Sequence, residues 1–260
     1  MPRPFLTARW SNLCIFSYHV PRALLTPRLP RGLELDVPPN TADDLGVVSL
    51  VAFDFLDTRV RGVKWPRHVN FPEVNLRFYV QLPGTAPEPA RRGVMFIREF
   101  VPRPLISFVA QTFYNEPYAA LRMTSSVIES AQGMEVEHRI SPKDGTPGVI
   151  SITASPGTET PPDTSLEHWL KEHQWGFGIS RSGEMLVYRV IHPVWATRPV
   201  REWKVNIDWT ALYGHDWGFL ARIEPFSVLL AQGSPVEVHP KRVMSPLSSA
   251  PIINTSPGDA

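Results

Sequence analysis

Charged residues stand inside two stretches that otherwise have the pattern of buried strands. In FPEVNLRFYV (residues 71–80), Val74, Leu76, Phe78 and Val80 fall on one side of an extended chain. Glu73, Asn75, Arg77 and Tyr79 fall on the other. In GVMFIREFV (residues 93–101), strict alternation puts Arg98 with Val94, Phe96 and Phe100, and Glu99 with Met95, Ile97 and Val101. A strand with one charge on each apolar face aims at least one of them at a core or a cavity. Buried charge is costly unless paired, and facing charges of opposite sign meet across neighbouring strands. Glu73, Arg77, Asp54 and Asp57 are the partners on offer to Arg98 and Glu99. Such a set suits acid–base work: an Arg can hold a substrate carboxylate bidentately, and a desolvated Glu can move a proton. Each residue also has a plainer reading. Glu73, Asn75 and Arg77 fit the wet face of an antiparallel strand, and Arg98 with Glu99 fit a structural ion pair.

Other chemistries find less support. The sequence has no Walker-type phosphate loop, no G-x-G-x-x-G after a strand and no G-x-S-x-G elbow. The histidines form no H-E-x-x-H, and His168 and His173 are five apart, off a common helical face. No metal and no cofactor is therefore expected. Cys14 is the only cysteine, which excludes an internal disulfide and fits a reduced, cytoplasmic setting; within NLCIFSY it reads as a small buried apolar residue. Only Lys64, Lys143, Lys171, Lys204 and Lys241 could form a Schiff base. Lys64, between Val63 and Trp65, suits a snorkelling surface residue. A formal net charge of +1 supplies no field for nucleic acid or an anionic membrane. No run is long and apolar enough to cross a bilayer, and the N-terminal residues lack a signal-peptide core.

The elements that must position these residues are mostly strands. VVSLVAFDFL (47–56) is nearly all apolar, as a strand buried on both faces would be. After 71–80 and 93–101 come strand candidates GMEVEHRI, GVISITAS, EMLVYRVIH and VREWKVNID, spaced with turn signals between them. Helices are few and short. PLISFVAQTFY starts with a proline suited to a first turn. TSLEHWLKEH has Thr164 three residues before Glu167, the capping-box spacing. DWTALYG has Asp208 as N-cap and Gly214 as stop, and PRALLTPRLP can hold a turn or two. The 28 prolines are spread throughout and break long helices. Residues 244–260 are low in bulky side chains and are expected to be disordered.

Several segments together resemble a known family. FLTARWSNLCIFSYHVP, LPRGLELD, VSLVAFDFLDTRVRGV, FPEVNLRFYV, GVMFIREFVPR, YNEPYAALRM, HPVW and AQGSPVEVHP are similar, in that order, to the YqjF-like family of uncharacterised bacterial proteins, over about residues 5–243. That family has no assigned reaction. Its fold resembles that of acetoacetate decarboxylase, which implies a strongly curved β-structure closing like a cone over a pocket, with a few helices outside. The decarboxylases carry a Y-x-E element whose glutamate lines the active site, and FPE is similar, which matches it to Glu73. They also carry R-E-I followed closely by a lysine pair that includes the Schiff-base nucleophile. IREF is similar to the first part, placing Arg98 and Glu99 on the equivalent strand. The second part departs, since no lysine occurs from Arg67 to Pro142. An iminium needs an amine, and arginine cannot substitute because it stays protonated.

The sequence thus predicts a β-rich α+β fold: one domain over 5–243, a strongly curved antiparallel sheet or open cone-like barrel with short peripheral helices. The expected function is binding of a small organic acid or ketone in an internal polar pocket. Lyase, isomerase or hydrolase chemistry without a Schiff-base lysine is consistent with it. Glu73, Arg98 and Glu99 are the catalytic candidates, and Arg77, Asn75 and Tyr118 the substrate-binding ones. The rivals are a non-catalytic carrier or sensor, and a structural protein with a buried ion-pair network. Superfamily members assemble into oligomers, so a homo-oligomer stays open, although no stripe in the sequence points to an interface.

Overall fold

The apolar run at 47–56 lies within a sixteen-residue strand, β3 (Leu45–Val60), buried on both faces from Gly46 to Phe55. A strand buried on both faces needs cover on each side, and the rest of the chain supplies it. The computed structural model describes residues 3–84, 86–104, 117–143 and 146–244. Before β3 come β1 (Leu6–Pro21), two 3-10 turns (Arg22–Leu24 and Thr26–Arg28) and β2 (Glu34–Leu35). After it follow β4 (Phe71–Leu82), β5 (Arg91–Val101), β6 (Tyr118–Ala120), β7 (Arg122–Ser130), β8 (Gly133–Ser141) and β9 (Gly148–Ala154). Helix α1 (Leu166–Lys171) leads to β10 (Trp175–Ile179), β11 (Met185–Ile191), β12 (Thr197–Arg198) and β13 (Val200–Asn206). Helix α2 (Trp209–Tyr213) and a 3-10 stretch (His215–Arg222) precede β14 (Ser227–Val238) and β15 (Arg242–Met244).

The main sheet runs β12-β14-β1-β3-β4-β5-β10-β11-β15, and its curl is strong enough for β11 to pair with β14 as well. The result is a cone-like wall with two narrow seams. One is the antiparallel contact of Val190 with Val238 and Ile191 with Glu237. The other is a parallel contact of β5 with β10, Gly93 opposite Trp175 and Val94 opposite Gly176. Outside the wall, Val74, Leu76, Phe78 and Val80 of β4 join Val48, Leu50 and Ala52 of β3 in one apolar cluster. It is covered by a second sheet, β13-β9-β8-β7, through Val136, Ile140, Ile150 and Ile152, and by Trp209, Leu212 and Trp217. Inside the wall a separate cluster gathers Val51, Phe53, Phe55, Phe71, Tyr79 and Val94.

The cone form and the strands expected at 47–56, 71–80, 93–101 and the four later segments are present. Among the strands that were not expected, four are longer than three residues. β7 is exposed at nearly every position, so it has no alternation to see. β10 carries two glycines, and β14 is interrupted by Gly233 and Pro235, which read as turn signals. In β14 the glycine is a fitted part of the strand: its φ is +74°, and a Cβ there would sit 2.1 Å from the Trp10 carbonyl oxygen. β1 mixes apolar and polar residues in its first half and has register breaks, which blur its period. Helix α1 is capped by Ser165, not Thr164; the Ser165 Oγ accepts from the His168 N–H at 3.1 Å. Asp208 caps α2 as expected, accepting from the Ala211 N–H at 2.9 Å. The helix expected in PLISFVAQTFY lies outside the described residues from 105 onward, as does the tail from 245. The larger departure is α1, which packs inside the wall, with Leu166, Trp169 and Leu170 against the inner cluster.

Gly93 is where the β5–β10 seam is decided, because a Cβ there would lie 2.3 Å from the Trp175 backbone oxygen. Gly93→Ala is expected to lower stability by about 1–3 kcal/mol, as overpacking against backbone does. Urea denaturation would measure it, and an unchanged midpoint would show that the seam carries little of the fold.

Candidate functional site

Strand β4 turns its polar row inward. Glu73 and Asn75 are each 3% exposed, and they face the cone interior with Phe71 and Tyr79. Strand β5 does not keep strict alternation. Leu76 pairs with Arg98 but Arg77 pairs with Phe96, so Ile97 is an extra residue, a bulge. The bulge restarts the period: Val94 and Phe96 line the interior, and so does Glu99, while Met95 and Phe100 belong to the outer cluster. Arg98 is thereby turned outside. Its Nη1 donates to the Leu212 carbonyl at 3.0 Å and its guanidinium lies over the Phe100 ring, tying α2 to the wall. The expected company of Arg98 with Val94 and Phe96 is corrected by one inserted residue.

Glu73 is the centre of the inner polar cluster. Its Oε1 accepts from Asn75 Nδ2 at 2.9 Å, and its Oε2 accepts from the Tyr118 hydroxyl at 2.9 Å. Tyr118 arrives on β6, which lies parallel to β5 with Tyr118 opposite Glu99. The Glu99 carboxyl approaches Glu73 within hydrogen-bonding reach, an approach that needs a proton on one of the two. Burial pushes the Glu73 carboxyl up to about 7, against the opposing pull of the Asn75, Tyr118 and Glu99 hydrogen bonds and the Arg77 charge. Burial, and then the charge of Glu73, push the Tyr118 hydroxyl well up. Arg77 donates from Nη2 to the Leu170 carbonyl at 3.3 Å and lies over the Tyr79 ring. Asn75 Oδ1 and Arg77 Nε are buried and have no hydrogen-bond partner among the described residues. Of the six residues expected at a site, five line the interior and Arg98 does not.

Three residues at the end of α1 and just past it add what the sequence reading did not assign. Lys171 is buried and lines the cavity, donating from Nζ to Glu172 Oε1 at 2.5 Å. The same Glu172 oxygen accepts from the Trp195 backbone N–H at 3.2 Å. His173 reaches Asp36 Oδ2 at 3.3 Å through Nε2, and that oxygen also accepts from Arg92 Nε at 2.6 Å. Burial holds His173 down to about 4, so near neutrality it is uncharged and donates to Asp36. His192 is also held below the usual histidine range by burial; it stacks on Trp195 and donates from Nδ1 to the Pro193 carbonyl at 2.9 Å. The run K-E-H after a charged helix looks like a solvated helix end, since only the docking of α1 inside the cone buries it. Lys64, by contrast, sits on the β3–β4 loop, half exposed and paired with Asp57.

These groups border a cavity of about 490 Å³. Its walls are largely aromatic, with Trp10, Phe53, Phe55, Phe71 and Phe96 among the lining residues, and it reaches the surface beside the β3–β4 loop at Arg61, Trp65 and His68. A carboxyl pair sharing a proton, a neighbouring guanidinium and an amine–carboxylate pair can together bind an acid and shuttle protons.

A family model, DUF2071, described as an uncharacterised conserved protein, matches residues 7–235, and the chain belongs to that family. A comparison with curated proteins finds no match. Among solved structures, the chain is similar to the enduracididine biosynthesis enzyme MppR complexed with the condensation product of pyruvate and imidazole 4-carboxaldehyde. That match has a TM-score of 0.65 and 14% identity, over 95% of this chain and 92% of the other. An acetoacetate decarboxylase-like enzyme from Sphingomonas wittichii RW1 matches at 0.63 and 12% identity, over 94% of each chain. Acetoacetate decarboxylase from Legionella pneumophila matches at 0.62 and 12% identity, over 94% of this chain and 88% of the other. The fold is therefore acetoacetate decarboxylase-like. Among the described residues no helix is long and apolar enough to cross a membrane.

A carboxyl whose pKa is higher folded than unfolded stabilises the fold while protonated. The Glu73 contribution is complete below the ordinary value of 4.5 and is lost as pH rises through about 7. Glu73→Gln cannot lose that proton. Between about pH 5 and about pH 8 its denaturation midpoint is expected to fall less than that of the unmodified protein. Parallel curves for the two proteins would remove Glu73 from the role of buried acid.

Proposed function

For this member of DUF2071 we propose that the cavity binds a small organic acid or ketone and that the Glu73–Glu99 pair moves a proton beside its carbonyl group. The observation that carries this reading is the buried carboxyl pair, set next to Asn75 Oδ1 and Arg77 Nε, which have no partner among the described residues. Arg77 presents N–H donors to a substrate carboxylate. Glu73, once deprotonated, accepts a proton from the carbon next to the carbonyl. The carbonyl oxygen takes a proton from Glu99 or the Tyr118 hydroxyl, so an enol forms with charge balanced. Return of the proton to another carbon is isomerisation, and expulsion of a leaving group is a lyase step. A pKa lifted toward neutrality suits a base working near pH 7. The pyruvate condensation product in the MppR complex, and the acetoacetate decarboxylase of like fold, support the ligand class.

Lys171 favours a second reading, in which its amine forms an imine with the ligand carbonyl, releasing water. The amine must first lose a proton, and Glu172 is the acceptor in contact with it. A carrier that binds the same ligands without turnover would share the cavity and lack both steps. A structural protein with a filled interior does not fit a 490 Å³ cavity.

Thermal-shift measurements against small carboxylates and ketones test the binding. A ligand at a hundred times its Kd is expected to stabilise by about 2.7 kcal/mol. Arg77→Met should lose the shift with carboxylates and keep it with neutral ketones, while Arg98→Met, facing outward, should behave as the unmodified protein. NMR in D₂O should then show exchange of the ligand's α-protons, abolished in Glu73→Gln. Exchange without a Glu73 effect would reject the proposed base. Borohydride trapping of a ligand adduct that disappears in Lys171→Met would select the imine reading.

A further inference from the structure

We propose that the cavity takes an amphipathic acid, a carboxylate or keto acid carrying an aromatic or similarly bulky apolar body, in preference to a three- or four-carbon acid. This rests on the acid-binding reading above and narrows its substrate class. The first ground is where the polar groups stand. Along β4 the inward residues run from Phe71 beside the β3–β4 loop to Glu73, Asn75 and Arg77. At about 3.4 Å per residue, Arg77 lies about 20 Å along the strand from Phe71. On β3, Val51, Phe53 and Phe55, all apolar, face Asn75, Glu73 and Phe71, and only Arg77 at the far end faces a polar residue, Ser49. Phe55 stacks on Phe71 with centroids 4.8 Å apart, and Trp10 meets Phe53 edge-on at 5.3 Å. An acid group that reaches Arg77 leaves this aromatic wall for the rest of the ligand to cover.

Size and entrance agree. A cavity of about 490 Å³ falls among those that enclose drug-sized ligands, and a molecule of a few atoms would leave most of it unfilled. The mouth is basic: between Asp57 and Asn70 the chain carries Arg59, Arg61, Lys64, Arg67 and His68, with Asp57 the one acid. Trp65, lining the mouth, is 52% exposed. A cationic rim attracts an anion, and an exposed indole receives an apolar body. A neutral apolar ligand explains neither the rim nor Arg77, and a small acid does not explain the aromatic wall.

Titration calorimetry with pyruvate, phenylpyruvate and phenylacetone separates the cases. Phenylpyruvate is expected to bind at least about tenfold more tightly than pyruvate, from burial of its ring. It should also outbind phenylacetone, which lacks the carboxylate. Phe71→Leu should weaken phenylpyruvate more than pyruvate and so narrow the ratio between them. Equal affinity for pyruvate and phenylpyruvate overturns this inference and leaves the acid-binding reading standing. Phenylacetone binding as tightly as phenylpyruvate overturns the acid requirement. If none of the three binds, both readings fall.

Discussion

A strand has two faces, and in β4 both are buried. That constraint governs the rest of the molecule. The outer face, Val74, Leu76, Phe78 and Val80, needs only apolar cover, which the second sheet and α2 provide. The inner face carries Glu73, Asn75 and Arg77, and polar groups withdrawn from water must find partners within the protein. Glu73 has its partners on three sides, from Asn75, Tyr118 and Glu99. Arg77 has one in the Leu170 carbonyl. The interior therefore has to contain α1 and β6 as well as the wall, because these bring Leu170 and Tyr118 to the polar row. Curvature of the sheet then leaves space between the row and the loop at the mouth.

Much of this was legible in the sequence, and the exceptions have physical causes. Alternation in residues 71–80 separates the two faces of β4 correctly because that strand is regular through the site. The same rule misplaces Arg98 because the Ile97 bulge inserts one residue, and a single insertion exchanges the faces beyond it. The neighbouring charges Arg98 and Glu99 therefore cannot be assigned to faces by counting alone. Lys171 and His173 were hidden for another reason: a helix of six residues with charged ends looks the same in sequence whether it lies on a surface or docks in a cavity. Tertiary placement decides, and the decisive contacts, Leu170 to Arg77 and Tyr79, span more than ninety positions.

The bulge also divides labour between neighbours. Glu99 enters the cavity as the partner of Glu73, while Arg98 one residue earlier secures α2 from outside. Without the extra residue, Arg98 would share the face of Val94 and Phe96 and meet Arg77 in the same low-dielectric space. Glu99 would turn outward in exchange, and two guanidiniums beside Glu73 alone would hold its carboxyl ionised, since a nearby cation favours the charged form. Keeping one cation beside the pair and turning the other away lets burial dominate Glu73 and leaves it protonatable near neutrality.

Charge balance within the cavity then limits how a ligand enters. Arg77 contributes one positive charge, and the Glu73–Glu99 pair, while it holds one proton, contributes one negative charge. Lys171 and Glu172 cancel as an ion pair, as do Arg92 and Asp36 beside neutral His173. The cavity's own groups are thus close to neutral in sum. A ligand carboxylate adds a negative charge beside carboxyls that already resist ionisation, and a second proton on the pair is the nearest way to offset it. On the proposed reading an anionic ligand and a proton bind with mutual assistance, and the pair proposed as base toward a ketone is held as an acid by a simple carboxylate. The same residues can distinguish a keto acid from an unreactive acid by the proton each leaves behind, because only a keto acid offers a carbonyl oxygen to receive it.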